Sequence, residues 1–372
     1  MDAQPLINLT ESNPTKAGFA YPADLLAPLA HQRGLVYEPS PFGLVDARRA
    51  VARDYERRGT SISIDRIALS ASTSEAYSLL FKLLADARDE VLVPRPSYPL
   101  FDHLTRLDEL TAVPYDLEYH DGWTIDVESV ERAVTPRTRA LLIVNPNNPT
   151  GSFAKPAELD PLKSICARRG VALIADEVFS DYELRSGAKA IAGRVLDGSD
   201  ALVFSLGGLS KSAGLPQVKL GWMAVGGPDE LVDRALERLE LVCDTYLSVS
   251  TPVQAAAPEL IERAAPVRAQ IQARIAANYR HLVEQTAAVP ACSVLHAEGG
   301  WYAVMQVPSL GSEEDLVVTL VDRVGVLAHP GYFFDFPRES YLVVSLLPRE
   351  DVFADGVGRV LHHVESEMSG HA

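Results

Sequence analysis

The chain has 372 residues, of which 47% are hydrophobic and 23% charged, a composition typical of soluble globular proteins and long enough for about two domains. Fifty acidic residues against 34 basic ones give a formal charge of −16, which argues against nucleic-acid binding because that function normally needs a basic surface. The sequence contains neither an apolar run near the roughly 20 residues of a membrane span nor a basic and apolar leader at its start.

The cysteines indicate a reducing compartment. Cys166, Cys243 and Cys292 are odd in number, widely spaced and without a Cys-x-x-Cys pair. We therefore expect buried free thiols in a cytoplasmic protein and no metal site.

The predicted elements alternate between helix and strand after an irregular start. Residues 1–40 are rich in Pro, Asn, Ser and Thr and predict an arm that packs on the rest of the protein. A helix is predicted over 45–58, ended by Gly59. The sequence then predicts helices at 75–85 and 158–169 and strands at 66–69, 90–93, 140–144, 171–175 and 201–205. Such alternation predicts an α/β fold with a mostly parallel sheet covered by helices on both faces.

The last part of the chain has a different pattern. Long helices are predicted at 228–247 and 267–288, followed by short strands at 303–307 and 341–346 with a helix at 313–324 between them. We expect an arm over 1–40, a large domain over 41–274 and a smaller α+β domain over 275–372.

Ligands of parallel sheets bind at the carboxyl ends of the strands, so the residues after each predicted strand are the candidate site. Ser72, Thr73 and Ser74 begin a helix, where free backbone N–H groups and the helix dipole suit a phosphate. The alternative is an ordinary N-cap with spare hydroxyls. Tyr98, between prolines, could stack on a flat ligand or simply pack.

Two polar side chains follow the next strands. Asn148 stands in a loop stiffened by two prolines, so it presents an amide or makes only a strong turn. Asp176 ends a buried strand, where a carboxylate needs a cationic partner unless it caps the following helix.

Lys211 lies in a tight loop between two strand-like segments, flanked by Ser210 and Ser212. Desolvation there would favour the nucleophilic amine, which can form a Schiff base; the alternative is a solvated loop lysine. Taken in order, these features specify a phosphorylated heterocycle with a basic ring nitrogen and an electrophilic carbon. Pyridoxal 5′-phosphate (PLP) fits every one of them.

These motifs also resemble a known family. The runs Asn148-Pro149-Thr150-Gly151, Asp176-Glu177-Val178 and Ser210-Lys211-Ser212, with Gly214, Leu215, Pro216 and Gly221, are similar to those of the class I/II aminotransferases related to aspartate aminotransferase. The resemblance covers residues 9–347, nearly the whole chain, and implies that the mostly parallel sheet is of the seven-stranded type found in the large domain of PLP-dependent transferases.

The resemblance implies a role for each matched residue. Lys211 would form the Schiff base, Asp176 pair with the pyridinium nitrogen and Asn148 bond the ring hydroxyl near the substrate carboxylate. Tyr98 would stack on the ring, and Ser72, Thr73, Ser74 and Lys219 would bind the phosphate. Ser210, next to the lysine, would be a further cofactor contact. Tyr37 would reach the phosphate of a neighbouring subunit, which implies a homodimer with shared active sites.

Three positions depart from the family. Phe179 replaces a tyrosine that bonds the ring oxygen, and Lys219 replaces an arginine that binds the phosphate. Val343 replaces the arginine that clamps the substrate carboxylate, for which Arg349 or Arg338 could substitute.

The leading hypothesis is an aminotransferase that moves an amino group between an α-amino acid, or a related amine, and a 2-oxo acid by a ping-pong mechanism. The alternative is a PLP-dependent decarboxylase or β-lyase on the same fold, favoured by Val343. A PLP-binding sensor is disfavoured because the sequence shows neither a helix-turn-helix nor a basic region.

Overall fold

The computed structural model describes residues 6–309 and 311–370. Its strands are β1 Ile7–Asn8, β2 Ile67–Ser70, β3 Glu90–Arg95, β4 Thr111–Tyr119, β5 Trp123–Ile125, β6 Thr138–Val144, β7 Ala172–Asp176, β8 Val203–Gly208, β9 Gly221–Gly226, β10 Ser293–Val294, β11 Tyr302–Gln306, β12 Val326–Leu327, β13 His329–Pro330 and β14 Tyr341–Ser345. Its helices are α1 Val45–Arg57, α2 Thr73–Leu84, α3 Leu100–Leu107, α4 Val127–Ala133, α5 Pro156–Arg169, α6 Leu209–Ser212, α7 Asp229–Tyr246, α8 Thr251–Arg263, α9 Ala265–Thr286, α10 Glu313–Thr319 and α11 Glu350–Gly370.

The central sheet has eight strands in the order β2-β9-β8-β7-β6-β3-β4-β5, one more than the seven-stranded type that the resemblance implies, because the short β5 pairs with β4 at the edge. The pairs from β8 through β7, β6 and β3 to β4 are parallel, whereas β9 is antiparallel to both of its neighbours and β5 to β4. The connection from β8 to β9 contains only the one-turn helix α6, and it returns the chain antiparallel. The predicted α/β fold with a mostly parallel sheet is confirmed.

Helices cover both faces of this sheet because its strands are apolar on both sides. Ile67 and Leu69 of β2 pack with α1 and α8, whereas Ala68 between them packs with α2 and α7. In β6, Leu141 and Ile143 likewise face α4 and α5. This two-sided burial explains why the strands are continuous apolar runs and not alternating ones.

A second, antiparallel sheet has the order β10-β11-β14-β13, and α9 and α11 pack against each other beside it. The N-terminal arm joins this part of the chain through β1, which pairs in parallel with β12. The expected domain boundary at residue 275 falls inside α9, so the division into an arm, a large and a small domain stays a prediction.

Prolines account for two differences from the predicted elements. Strand β3 continues through Pro94 to Arg95, because its pairing with β6 ends at Leu92 and no ladder bond on that side needs the missing N–H. Helix α8 has no counterpart among the predicted elements, since Pro258 lies inside it and Pro252 near its start.

A third difference concerns the helix predicted over 313–324. Helix α10 ends at Thr319, and the residues Leu320–Val324 that follow form a π-helical segment.

The side chain of Asn278 fastens α9 to the end of β14. It is 1% exposed, and its Nδ2 donates to the carbonyl oxygens of Leu346 at 2.9 Å and Pro348 at 2.8 Å. Asn278→Ala should lower the free energy of unfolding in urea by about 1–3 kcal/mol, because it leaves buried acceptors unpaired. Arg280→Ala, an exposed change on the same helix, should stay within about 0.5 kcal/mol, and equal effects of the two would contradict this role.

Candidate active site

The residues predicted from the strand ends gather at one edge of the central sheet. Asp176 is the last residue of β7, and Lys211 lies on α6 directly after β8. Asn148 follows β6, and Ser72 follows β2. The charges of Asp176 and Lys211 act on each other, so the fold brings the two residues together.

The Lys211 amine lies in an apolar, aromatic environment. Its Nζ is 5.1 Å from the centre of the Trp301 ring and 5.6 Å from that of Phe179. Desolvation lowers the pKa of Lys211, and the Asp176 carboxylate opposes this shift. The Tyr182 hydroxyl donates to the Lys211 carbonyl at 2.7 Å and fixes the backbone. A desolvated amine of lowered pKa is a nucleophile, unlike a solvated loop lysine.

Asp176 is a desolvated carboxylate without an ion pair among residues 6–309 and 311–370. It accepts hydrogen bonds from the Tyr77 hydroxyl and from the Val178 N–H, both at 3.1 Å. Desolvation raises the pKa of Asp176 to about 6, and the neighbouring Glu177 carboxylate adds to the rise. Such a group favours a cationic partner, and a protonated ring nitrogen meets that need.

Asn148 also has unused hydrogen-bonding capacity. It is 7% exposed, and its Oδ1 is buried without a partner among the described residues. The loop around it is fixed by its neighbour Asn147, whose Nδ2 donates to the Pro96 carbonyl at 3.2 Å and to the Thr150 hydroxyl at 2.9 Å. The loop is therefore rigid and still offers an unpaired amide oxygen, which fits a bound polar ligand.

The start of α2 is a helix N-terminus capped by Ser72, a type of turn at which phosphates can also bind. The Ser72 hydroxyl accepts from the Glu75 N–H at 3.1 Å, and Thr73 and Ser74 form the first turn. Gly221 packs against this turn so closely that a Cβ there would lie 2.9 Å from the Ser72 carbonyl carbon. Only glycine leaves the backbone room here, which explains the glycine at this position.

The remaining predicted residues have different surroundings. Tyr98 is 43% exposed, and desolvation together with the charge of Asp176 raises its pKa, so it belongs to the same site. Ser210 precedes Lys211 on α6, and Lys219 is exposed just before β9. Tyr37 is 73% exposed and lies beside residues 247–249, apart from the groups around Lys211.

The two arginine candidates lie along the chain on opposite sides of β14, which contains Val343. Val343 is fully buried in the apolar cluster that includes Phe334. Arg349 is exposed, pairs with Asp351 at 2.9 Å and passes beside Gly18, whereas Arg338 is exposed in the loop before β14.

Sequence reasoning missed three aromatic residues: Tyr77 beside Asp176, Trp301 beside the Lys211 amine and Tyr302 beside Phe179. Tyr77 lies one turn into α2 from Thr73, a helical spacing that could have identified it. Trp301 and Tyr302 come from β11 and the turn before it, some 90 residues after Lys211, and no local pattern connects them with the site. Among the described residues no cluster of His, Cys, Asp or Glu could hold a metal ion, and no helix is long and apolar enough to span a bilayer.

The pKa of Asp176 makes a prediction for the protein without cofactor. Its folded pKa of about 6 lies above the ordinary value of 3.8, so the carboxylate destabilises the fold once the pH exceeds about 6 and not below about 4. Asp176→Asn should raise the free energy of unfolding by up to about 3 kcal/mol at pH 8 and hardly change it at pH 4. Urea unfolding at both pH values measures this, with the exposed Asp233→Asn as control; an equal effect at both would refute the assigned cause.

Comparison with known proteins agrees with this geometry. The family model described as aminotransferase class I and II matches residues 5–352. The alanine aminotransferase of Mycobacterium tuberculosis (strain H37Rv) is 29% identical over 371 residues, covering 95% of this chain and 84% of the relative. The glutamate-pyruvate aminotransferase of Escherichia coli K12 is 27% identical over 359 residues, covering 93% and 87%.

Solved structures share the fold. An alanine aminotransferase from Pyrococcus furiosus superposes with a TM-score of 0.88 at 23% identity, covering 98% of this chain and 93% of that one. An aspartate aminotransferase from Thermotoga maritima gives a TM-score of 0.83 at 22% identity, covering 97% and 92%. Because the family model matches nearly the whole length of this chain, the chain belongs to the class I and II aminotransferases and is an enzyme that transfers amino groups.

Proposed function

We propose that this enzyme uses PLP to move an amino group between an α-amino acid and a 2-oxo acid in a ping-pong cycle. The observation that carries the proposal is the desolvated Lys211 amine of lowered pKa beside the desolvated Asp176 carboxylate. When bound, PLP supplies an electron sink for the bond broken at the substrate Cα.

The fit of these residues to PLP rests on three features. Asp176 lacks an ion pair among the described residues, the Asn148 Oδ1 is buried and unpaired, and the Ser72 turn at the start of α2 packs against Gly221 with no side chain between them. Each feature would bind one part of PLP: Asp176 the ring nitrogen, Asn148 the ring hydroxyl and the Ser72 turn the phosphate.

Each residue then has a distinct task. Lys211 would hold PLP through its amine and, when that amine is free, would accept the proton from the substrate Cα. Asp176 would pair with the ring nitrogen, Asn148 would bond the ring hydroxyl and Tyr98 would stack on the ring. Ser72, Thr73, Ser74, Ser210 and Lys219 would supply the remaining contacts, mainly at the phosphate.

The substrate carboxylate needs a partner other than residue 343. Val343 is fully buried among apolar side chains, so no charge is present at that position. We assign the role to Arg349, whose side chain lies beside Gly18 of the N-terminal segment. Its guanidinium is exposed and can exchange its Asp351 partner for a substrate carboxylate.

Val343 also favours a second candidate function. A PLP-dependent decarboxylase or β-lyase shares the fold, and an apolar wall in place of an arginine would suit such a reaction. The two candidates differ in their products.

We further propose a cytoplasmic homodimer with shared active sites. Cys166, Cys243 and Cys292 are all free and buried, as expected for a reducing compartment. Tyr37 is 73% exposed within an apolar stretch that includes Leu35, which is 87% exposed. A second copy covering this stretch would bury it and bring Tyr37 to the neighbouring phosphate.

The reaction is tested by product analysis and by replacing the lysine. The purified enzyme with PLP and a 2-oxo acid acceptor should convert an amino donor such as alanine or glutamate to its 2-oxo acid and aminate the acceptor, without releasing carbon dioxide. Lys211→Ala should lose the absorption of the covalently bound cofactor and lower turnover by at least about 10³-fold, since it removes the nucleophile and the proton carrier.

Lys16→Ala, an exposed change, should retain both properties. Carbon dioxide, or pyruvate with ammonia, as the main product would select the second candidate. Full activity of Lys211→Ala would remove both candidates.

The carboxylate contact is tested with a matched pair of arginines. Arg349→Gln should raise the KM for the amino donor by about 10–100-fold with a smaller change in kcat, corresponding to a loss of about 1.5–3 kcal/mol for a charged hydrogen bond. Arg338→Gln removes the same charge from the exposed loop before β14 and should leave KM unchanged. The opposite pattern would transfer the role to Arg338.

A further inference from the structure

A buried carboxylate outside the site described above binds the backbone of a loop that lies near that site. Glu313, the first residue of α10, is 3% exposed. One of its oxygens, Oε2, accepts from the Tyr332 N–H at 2.8 Å, and Oε1 accepts from the N–H groups of Ser340 and Tyr341, both at 2.8 Å. One carboxylate thus holds both ends of the segment 332–341, which we call the aromatic loop.

The aromatic loop reaches the reactive amine through a series of ring contacts. Phe334 is 2% exposed, and its ring centre is 6.4 Å from that of Tyr302. Tyr302 in turn lies 6.5 Å from Phe179, whose ring centre is 5.6 Å from the Lys211 Nζ. A displacement of Phe334 would therefore change the wall beside the amine.

The same loop is tied to a second wall of the site. The Phe334 carbonyl accepts from the Ser97 N–H at 3.0 Å, and Ser97 immediately precedes Tyr98. The position of Phe334 thus bears on both Tyr302 and Tyr98.

We propose that Glu313 is a positioning residue that determines which donor side chains the enzyme accepts, by holding Phe334 of the aromatic loop against Tyr302 and the Ser97 backbone. The inference rests on the proposed function and adds to it a determinant of substrate choice. Glu313 itself contacts neither Lys211 nor Asp176 in the described structure. It acts only through the loop that it holds.

The three hydrogen bonds that the Glu313 carboxylate accepts predict the effect of replacing it with glutamine. Glutamine has nearly the shape of glutamate but only one acceptor oxygen, and its NH2 group would face a backbone N–H. Whichever way the amide turns, at least one end of the aromatic loop loses its acceptor. Glu313→Gln should therefore free the loop while keeping the volume of the side chain.

The experiment compares Glu313→Gln with Glu314→Gln in the PLP-loaded enzyme. Glu314 is the exposed next residue, so its change removes the same charge from the same helix end. Hydrogen exchange of residues 331–341 reports on the loop. Two measurements report on selectivity. The first is the binding of a donor series from alanine to phenylalanine, monitored by the change in cofactor absorption, and the second is the ratio of the kcat/KM values of these donors.

For Glu313→Gln we expect hydrogen exchange in residues 331–341 to be at least tenfold faster. We also expect the ratio of kcat/KM for phenylalanine to kcat/KM for alanine to change at least fivefold, mainly through KM. The absorption before donor addition should be unchanged, and Glu314→Gln should behave as the wild type. Faster exchange with an unchanged ratio would reduce Glu313 to a purely structural role and overturn the proposal, as would unchanged exchange.

Two measures keep the test decisive. If Glu313→Gln does not fold, Glu313→Asp replaces it in the test, because aspartate keeps the charge on a shorter side chain. Glu313→Asp should give the same changes in smaller degree, and wild-type exchange and selectivity in this variant would overturn the proposal. Exchange and donor binding need no turnover, so a wild-type enzyme that fails to transaminate would remove the proposed function and leave this comparison readable.

Discussion

The site depends on placing an amine and a carboxylate together where both are desolvated. Lys211 and Asp176 lie at the ends of adjacent parallel strands, and desolvation shifts the two pKa values in opposite directions, that of Lys211 down and that of Asp176 up. Both shifts favour the neutral forms. The same apolar surroundings thus prepare the nucleophile and leave the carboxylate in need of a cationic ligand, which is why the sheet edge is the place of the chemistry.

The parts of the fold that the sequence predicted are those with local causes. The apolar runs of β6, β7 and β8 indicate buried parallel strands, and the positions directly after them single out Asn148, Asp176 and Lys211. Ser72 shows the limit of this reasoning. Its hydroxyl does cap α2, as the N-cap interpretation predicts, and the phosphate site that we propose uses the same turn.

What the sequence could not predict are contacts between distant segments. Trp301 approaches Lys211 from the second sheet, and Glu313 reaches backbone groups of residues 332, 340 and 341. Neither contact has a periodic or motif signal, because each depends on tertiary packing between segments that are distant in the sequence. Helix α8 escaped prediction for a different reason: Pro258 disfavours a helix locally, but the packing of α8 against α1 outweighs that preference.

Helix α9 sets a limit on how the enzyme can change shape. Its 22 residues form an uninterrupted rod about 33 Å long. Gln272 bonds to the backbone of Glu183 near one end, and Asn278 bonds to the end of β14 further along. No glycine or internal proline offers it a point of bending. One straight helix therefore bonds both to the segment around Glu183 and to the end of β14, so a relative displacement of these two parts of the chain would strain one of the two sets of side-chain bonds.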